Sequence, residues 1–150
     1  MTVNLELGDM QEGSFGDMKN KFNNRKIVFQ GETYDSQLEL ARYLFLSNRQ
    51  KEGEISGLRR QVEYLLIPAQ YGTEIRHLKT KDKEVRVLLE RPCSYIADFV
   101  YERNGKTIVE DCKGAKAIIT ETAKIKKKLL LWVHGIELRY IFSATQWDKK

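Results

Sequence analysis

Two aspartates, Asp98 and Asp111, lie in alternating segments on either side of Asn104-Gly105. An Asn-Gly pair between two alternating runs is a strong sequence signal for a β-hairpin with a two-residue turn. With that turn, Asp98 lies directly opposite Asp111, and both carboxylates point to one face of the hairpin. Like charges on opposed residues destabilise a sheet, and a divalent cation bound between these carboxylates would relieve the repulsion.

Lys113 falls on the same face as the two aspartates, because side chains alternate between the two faces of a strand. By the same rule, Glu110 and Cys112 point to the opposite face. The unit with coherent chemistry is therefore Asp98 together with Asp111-x-Lys113, and Glu110 is not part of it.

Alternation alone leaves two interpretations of this charged face. It could be a solvated surface of a two-sided hairpin, or it could be a partly buried metal site. Three apolar residues, Ile96, Val100 and Val109, are predicted to share the face. They favour the metal site, because a partly buried carboxylate without a partner is costly.

The composition is that of an ordinary globular protein. The chain has 150 residues, enough for one domain with a substantial core. Charged residues make up 31% and hydrophobic residues 41%, and no apolar segment approaches the roughly 20 residues of a membrane span. The first residues lack a secretory signal pattern, so we expect a cytoplasmic protein with no membrane partner. Cys93 and Cys112 lack CxxC spacing, so neither a disulfide framework nor a structural zinc site is expected.

The charge distribution divides the chain. The net charge is +5, although the first 17 residues contain acids and no base. We expect residues 1–18 to form a flexible N-terminal arm and residues 19–150 to form the folded domain. That domain is more basic than the chain as a whole, which favours a polyanionic partner.

Glu39 is a third acid whose position matters. Residues 26–34 alternate around Gln30-Gly31 and predict a small hairpin, which is followed by a helix over residues 36–50. Glu39 lies on the first turn of this helix, and two roles for it remain open. It could complete a capping box with Ser36, or its carboxylate could join the aspartate site.

A basic segment interrupts the strands. A strand over residues 61–67 leads into the polar and basic residues 70–83, with a turn predicted at 80–83. This segment could be the solvated tip of a hairpin or a finger that lies along a phosphate backbone. Residues 84–89 then return as a strand toward the aspartate hairpin.

A second helix follows the aspartate hairpin, beginning at Thr120 and ending at His134-Gly135. Its lysine-rich surface could be a solvated face or could contact DNA. Residues 136–144 predict a final strand, which could run parallel to an earlier one because a helix separates them. The predicted apolar face of the helix consists of Ile125, Leu129, Trp132 and Val133.

In this order of elements, the chain resembles the PD-(D/E)XK nuclease superfamily. It is most similar to small phage and prophage nucleases related to endonuclease I and RecU-like Holliday-junction resolvases. Ala97 stands where the superfamily name has proline, at a side chain without a chemical role. The resemblance covers roughly residues 20–144 and is carried by the segments SQLELARY (36–43), GEISGLRRQVEYLLIP (53–68), YIADF (95–99), VEDCKG (109–114) and KIKKKL (124–129).

The resemblance implies an α/β fold with a restriction-endonuclease-like core, in which two helices flank a mixed central β-sheet that carries a basic β-hairpin insertion. It implies that Glu39, Asp98 and Asp111 bind Mg²⁺, with Mn²⁺ as a substitute. Lys113 would act beside the scissile phosphate as the fourth catalytic residue, and Gln61 would support the site.

The implied function is metal-dependent hydrolysis of phosphodiester bonds in branched DNA by a homodimeric Holliday-junction resolvase, encoded by a phage or prophage and acting in the cytoplasm of a bacterial host. Two alternatives remain: a nuclease of the same fold that acts on flaps, ends or duplex DNA, and a non-catalytic DNA-binding accessory protein. The expected DNA contacts are Lys21, Arg25, Arg76, Lys79, Lys81, Lys83, Lys124, Lys126 and Lys128.

Overall fold

A computed structural model describes residues 25–115 and 119–148 of the chain. The predicted arm at residues 1–18 and the predicted DNA contact Lys21 lie outside these ranges. In chain order the elements are β1 (Ile27–Phe29), β2 (Glu32–Tyr34), α1 (Gln37–Lys51), β3 (Ser56–Ile67), β4 (Gln70–His77), β5 (Asp82–Glu90), β6 (Cys93–Arg103), β7 (Lys106–Cys112), α2 (Glu121–His134) and β8 (Leu138–Ile141).

The central sheet has the strand order β3-β6-β7-β8. Strand β6 is antiparallel to both β3 and β7, and β8 runs parallel to β7 after the crossover through α2. The protein is therefore an α/β fold with a mixed sheet and two helices, as predicted, and the parallel final strand is confirmed. Neither helix within the described ranges is long and apolar enough to cross a membrane.

The two helices cover opposite faces of this sheet. Leu46 of α1 packs in a cluster with Phe99 and Tyr101 of β6. Leu130 of α2 packs in a second cluster with Val100 of β6 and other residues of the sheet. Both helices begin at the predicted caps, because the hydroxyl groups of Ser36 and Thr120 accept backbone N–H groups three residues further along.

The central hairpin forms as predicted. Asn104 and Gly105 have φ angles of 52° and 73°, the left-handed conformations that a two-residue type I′ turn requires. The pairing of β6 with β7 runs from Arg103 opposite Lys106 to Phe99 opposite Glu110. The turn therefore sets the register that brings Asp98 toward Asp111.

The basic segment forms a hairpin of its own. Strands β4 and β5 pair in a separate two-stranded sheet, and their turn is closed by a hydrogen bond of 3.0 Å from Leu78 N to Lys81 O. The turn spans residues 78–81 and therefore lies two residues earlier than the predicted position at 80–83. The reason is that Asp82 and Lys83 pair with His77 and Arg76 and belong to strand β5.

The predicted apolar face of α2 is confirmed only at Leu129, which packs against the core cluster, and is wrong for Ile125, Trp132 and Val133. Leu130 is fully buried, whereas Trp132 is 86% exposed and Ile125 is 56% exposed. Apolar residues occupy positions 129–133 without interruption, so helical periodicity alone does not select one face. Packing against the sheet selects Leu130, and Lys126 on the same side donates to the Ser94 carbonyl at 2.9 Å.

Candidate active site

Asp98 and Asp111 meet where strand β7 leaves strand β6. Pairing between these strands ends at Phe99 and Glu110, and Asp111 is instead the register partner of Tyr140 in β8. Asp98 Oδ2 accepts the backbone N–H of Cys112 at 2.8 Å, which holds the carboxyl group of Asp98 against the end of β7. The hairpin thus places two carboxyl groups side by side at the point where the sheet opens.

The two acids share an unfavourable environment. Burial, followed by the charge of Asp111 and a hydrogen bond with it, raises the pKa of Asp98 to about 8. The more distant carboxylate of Glu39 acts in the same direction. Two adjacent, largely buried carboxylates do not both ionise readily without a cation, so the pair holds a proton near neutral pH.

Asp111 is oriented by two donors. Its Oδ2 atom accepts the hydroxyl of Tyr95 at 2.7 Å and the ammonium group of Lys113, also at 2.7 Å. Burial and the charge of Asp111 raise the pKa of Tyr95 far above its ordinary value, so this hydroxyl remains a donor. Lys113 is therefore placed beside the carboxylate pair, on the face that alternation predicted.

Glu39 combines the two roles that the sequence left open. Its backbone N–H donates to Ser36 Oγ at 3.1 Å, and its Oε2 atom accepts the N–H of Asp35 at 2.8 Å, close to a capping box. Its Oε1 atom points toward the sheet and accepts Arg60 Nη2 at 3.2 Å and Gln61 Nε2 at 3.1 Å. One carboxylate oxygen caps the helix, and the other faces the candidate site.

Gln61 links the helix acid to the hairpin acid. Its side-chain amide donates to Glu39 Oε1 and also to Asp98 Oδ1, the latter at 3.2 Å. Its backbone φ is 50°, a left-handed conformation that is strained for a residue with a side chain and unusual within a strand. Arg60 and Gln61 both reach Glu39, although neighbours in a regular strand point to opposite faces. The strained backbone lies at the residue that contacts both acids, as is common for residues of binding and catalytic sites, so Gln61 belongs to the candidate site.

The alternation of β6 changes phase at Asp98. Tyr95 and Ala97 pack in the same cluster as Val100, whereas Ile96 is 55% exposed. The prediction that Ile96 lines the carboxylate face is therefore wrong, and Tyr95 takes that place. Strict alternation assigned Tyr95 to the other face, so no local signal in the sequence could have identified it.

Two further residues were missed by the sequence reasoning. Arg60 neutralises Glu39, and its guanidinium carbon lies 3.7 Å from the ring centroid of Tyr34. Tyr140 lies next to Asp111 in the sheet, and only the parallel register of β8 reveals this. Both contacts depend on tertiary geometry rather than on a motif.

Glu110 occupies the opposite face, as alternation predicted. It is fully buried and receives two hydrogen bonds from the guanidinium group of Arg42, at 2.9 Å and 2.6 Å. The hydroxyl of Tyr101 donates to it as well, at 2.6 Å. Arg42 also binds the carbonyls of Ala144 and Gln146, so this network anchors the C-terminal segment to α1.

The acids fit a hard divalent cation by their chemistry. Across residues 25–115 and 119–148, no three His, Cys, Asp or Glu side chains are already arranged as a complete set of metal ligands. The adjacent carboxyl groups of Asp98 and Asp111 nevertheless form a repulsive pair that a dication would relieve, and Glu39 lies one bridging amide away. Oxygen donors of this kind suit Mg²⁺ or Mn²⁺.

The predicted DNA contacts fall into three groups. Arg25 is exposed ahead of β1, and the exposed bases of the β4–β5 hairpin lie toward its tip. In α2, Lys124 pairs with Glu121 at 2.6 Å, Lys126 is held by Ser94, and Lys128 is exposed. The hairpin bases are Arg76, Lys79, Lys81 and Lys83.

Comparison with known proteins gives one match. Residues 19–148 match a family described as "Protein of unknown function (DUF1064)". No curated protein and no solved structure matches the chain.

Proposed function

The chain belongs to the DUF1064 family, and we propose that it is a Mg²⁺-dependent endonuclease that hydrolyses phosphodiester bonds in branched DNA. The observation that carries the proposal is the arrangement of Asp98, Asp111 and Lys113, in which two carboxyl groups adjoin and an ammonium group contacts one of them. A protein that only binds DNA gains nothing from buried acids that face a phosphate backbone.

The fold supports the same proposal. The order α1, β3, β6, β7, α2, β8, with an antiparallel meander followed by a parallel strand, agrees with a restriction-endonuclease-like core. The β4–β5 hairpin is inserted between the first two strands of that core. The superfamily resemblance and the site therefore favour one class of chemistry.

Each residue of the site has a task in this chemistry. Asp98 and Asp111, with Glu39 beside them, would hold Mg²⁺ or Mn²⁺. The bound ion would supply a Lewis acid that activates water and offsets charge on the leaving oxygen. Lys113 donates toward the phosphate and offsets its charge in the transition state. The hydroxyl of Tyr95 donates to Asp111 Oδ2, the oxygen that Lys113 also contacts. This hydrogen bond fixes the orientation of the Asp111 carboxylate.

Gln61 and Arg60 prepare the third acid. Arg60 forms an ion pair with Glu39 and holds its carboxylate toward β3. Gln61 holds Glu39 and Asp98 at a fixed separation through its two hydrogen bonds. The site is therefore positioned by β3 as well as by the hairpin, which reduces the reorganisation required when substrate binds.

The exposed bases of the β4–β5 hairpin and of α2 would contact the DNA backbone. Residues 76–83 of the hairpin contain four lysines and arginines and a single acid. Such contacts provide affinity that weakens with salt, without sequence preference. Symmetric cleavage of a junction requires two active sites, so we propose a homodimer, in the cytoplasm of a bacterial host, as the acting form.

A labelled four-way junction tests the proposal. The purified protein should cut it in the presence of Mg²⁺ and should not cut it in EDTA. Asp98→Ala and Asp111→Ala should each lower the single-turnover rate about 1000-fold, the scale expected when a group acting in the transition state is lost. Glu137→Ala, at an exposed acid outside the site, is the matched control and should cut at the wild-type rate.

Comparison of substrates separates the alternatives. Faster cutting of a flap, an end or a linear duplex than of the junction would replace the resolvase with another nuclease of the same fold. Salt-sensitive binding without cutting in any divalent metal would indicate a DNA-binding accessory protein instead. Equal cutting by wild type and by the two alanine variants would refute the proposed site.

A further inference from the structure

The hydroxyl group of Tyr140 is an unsatisfied polar group beside the candidate site. Its oxygen is buried and has no hydrogen-bond partner among the described residues. Tyr140 is the register partner of Asp111 across the parallel pair β7–β8, so its side chain lies next to the carboxylate pair. A buried donor left without a partner costs about 1–3 kcal/mol, which calls for an acceptor from outside the chain.

Two ammonium groups lie near the ring that carries this hydroxyl, together with the carboxylate of Asp111. Lys127 Nζ of α2 lies 4.7 Å from the ring centroid of Tyr140, and Lys113 Nζ lies 6.0 Å from it. Burial raises the pKa of Tyr140, and the charge of Asp111 acts in the same direction, while the charges of Lys113 and Lys124 partly oppose that rise. The hydroxyl therefore stays protonated and remains a donor, and ammonium groups lie near it.

The nearby polar groups already have other partners. Tyr95 and Lys113 both bind Asp111 Oδ2, and Lys124 binds Glu121. Lys126, one residue before Lys127, is held by the Ser94 carbonyl. The Tyr140 hydroxyl, which has no partner among the described residues, and the ammonium group of Lys127, which lies over the Tyr140 ring, are thus two nearby donors that could bind one anionic oxygen.

We propose that Tyr140 Oη and Lys127 Nζ form a phosphate-binding subsite, which binds non-bridging oxygens of the DNA strand next to Asp111 and Lys113. The inference rests on the proposed function, because a DNA nuclease binds a phosphodiester at this position. A neutral donor beside an ammonium group selects an anion over a neutral acceptor. The subsite would hold the phosphate from the α2 side, while Lys113 contacts it from the end of β7.

The geometry of this subsite is set before substrate arrives. Strand β8 fixes the backbone of Tyr140 by its parallel pairing with β7, and its ring is 6.5 Å from the ring of Phe142. Lys127 is half-buried on α2 above the ring. Little side-chain ordering is then required on binding, which favours affinity for a small anion.

Tyr140→Phe is the decisive variant, because it removes the hydroxyl and leaves the ring. Isothermal titration calorimetry with inorganic phosphate should show at least about 10-fold weaker binding than wild type, as expected for loss of a hydrogen bond to a charged acceptor. Lys127→Gln should weaken phosphate binding to a similar degree. Lys106→Gln, at an exposed lysine beside the β6–β7 turn, is the matched control and should bind phosphate as wild type does.

Two further measurements distinguish this subsite from a structural role. The urea concentration at the midpoint of unfolding should be the same for Tyr140→Phe as for wild type, or higher. The reason is that the removed hydroxyl has no hydrogen-bond partner among the described residues. It should also raise KM for a junction substrate while the Mg²⁺ dependence of cleavage stays unchanged. A clear loss of stability in Tyr140→Phe would assign the hydroxyl to the fold and overturn the inference.

The result separates this inference from the proposed function. Wild-type phosphate binding and cleavage by Tyr140→Phe, together with an inactive Asp98→Ala, would refute the subsite and leave the nuclease intact. Weaker phosphate binding by Tyr140→Phe, in a protein that cuts no DNA, would support the subsite as an anion site and refute the nuclease.

Discussion

On one face of strand β7, the carboxylate of Glu110 is matched by a buried arginine, and on the other face the carboxylate of Asp111 meets a second aspartate. Glu110 and Asp111 are both buried, and they are adjacent in the chain. Arg42 and Tyr101 supply three hydrogen bonds to Glu110. Asp111 instead contacts the ammonium group of Lys113, and its charge adds to burial in raising the pKa of the adjacent Asp98.

The difference shows how a single hairpin carries both structure and chemistry. The chain itself balances the charge of Glu110, so that network is complete and joins α1 to the C-terminal segment. The charge of the aspartate pair is left unbalanced at the opening between β6 and β7. Lys113 contacts only Asp111, so two adjacent acids have one ammonium partner between them, and clustered acids of this kind are typical of sites that bind a ligand or perform catalysis.

The largest expected effect contrasts two acid-to-amide substitutions. Glu110→Gln leaves Arg42 buried without its counter-ion, so the free energy of unfolding should fall by about 3–5 kcal/mol. Asp98→Asn removes a like charge instead, so the metal-free protein should be as stable as wild type or more stable. Urea unfolding at pH about 8, near the raised pKa of Asp98, measures both effects.

A similar decrease in the free energy of unfolding in Glu110→Gln and in Asp98→Asn would contradict this difference between the two faces. In that case Asp98 would be a structural partner of Cys112 and Gln61 rather than half of a repulsive pair. Glu137→Gln, at an exposed acid outside both networks, is the control for the effect of an amide on the surface.

The second expected effect is a pH dependence confined to the aspartate face. The pKa of Asp98 is about 8 in the folded protein and 3.8 in its reference state, so the folded state binds this proton more tightly. Between these two values, the free energy of unfolding of the metal-free protein should decrease as pH rises. In the proposed site Mg²⁺ would replace this proton, so it should raise the melting temperature more above pH about 8 than below pH about 6.

Thermal unfolding with and without Mg²⁺ at several pH values gives the measurement. Asp98→Asn should abolish both the slope and the Mg²⁺ effect, while wild type retains them. A Mg²⁺ shift that is independent of pH, or one that survives in Asp98→Asn, would place the cation elsewhere.

The sequence predicted those features of the two faces that depend on residues close together in the chain. Asn104-Gly105 set the turn, and with it the placement of Asp98 near Asp111 and of Glu110 on the other face. Ser36 and Thr120 marked both helix starts for the same reason, since a cap is a contact within one turn. These elements depend on residues that are close in the chain.

The parts that the sequence did not predict depend on contacts between distant segments. Tyr95 reaches Asp111 because the alternation of β6 changes phase at Asp98, opposite the strained backbone of Gln61. Tyr140 becomes a neighbour of Asp111 through the register of a parallel strand. The buried face of α2 is chosen by the sheet, since the apolar run around Leu130 fits several orientations.

The smallest expected effect concerns Gln61, which joins the aspartate face to α1. Gln61→Ala removes both bridging hydrogen bonds and keeps the left-handed backbone, whereas Gln61→Gly also relieves the strain. The glycine variant should therefore be more stable than the alanine variant by about 1 kcal/mol, yet both should cut DNA about 10-fold more slowly than wild type. Urea unfolding and single-turnover cleavage separate the two contributions. Cleavage at the wild-type rate by Gln61→Gly would contradict this prediction. It would show that the hydrogen bonds from Gln61 to Glu39 and Asp98 are not needed to position the site.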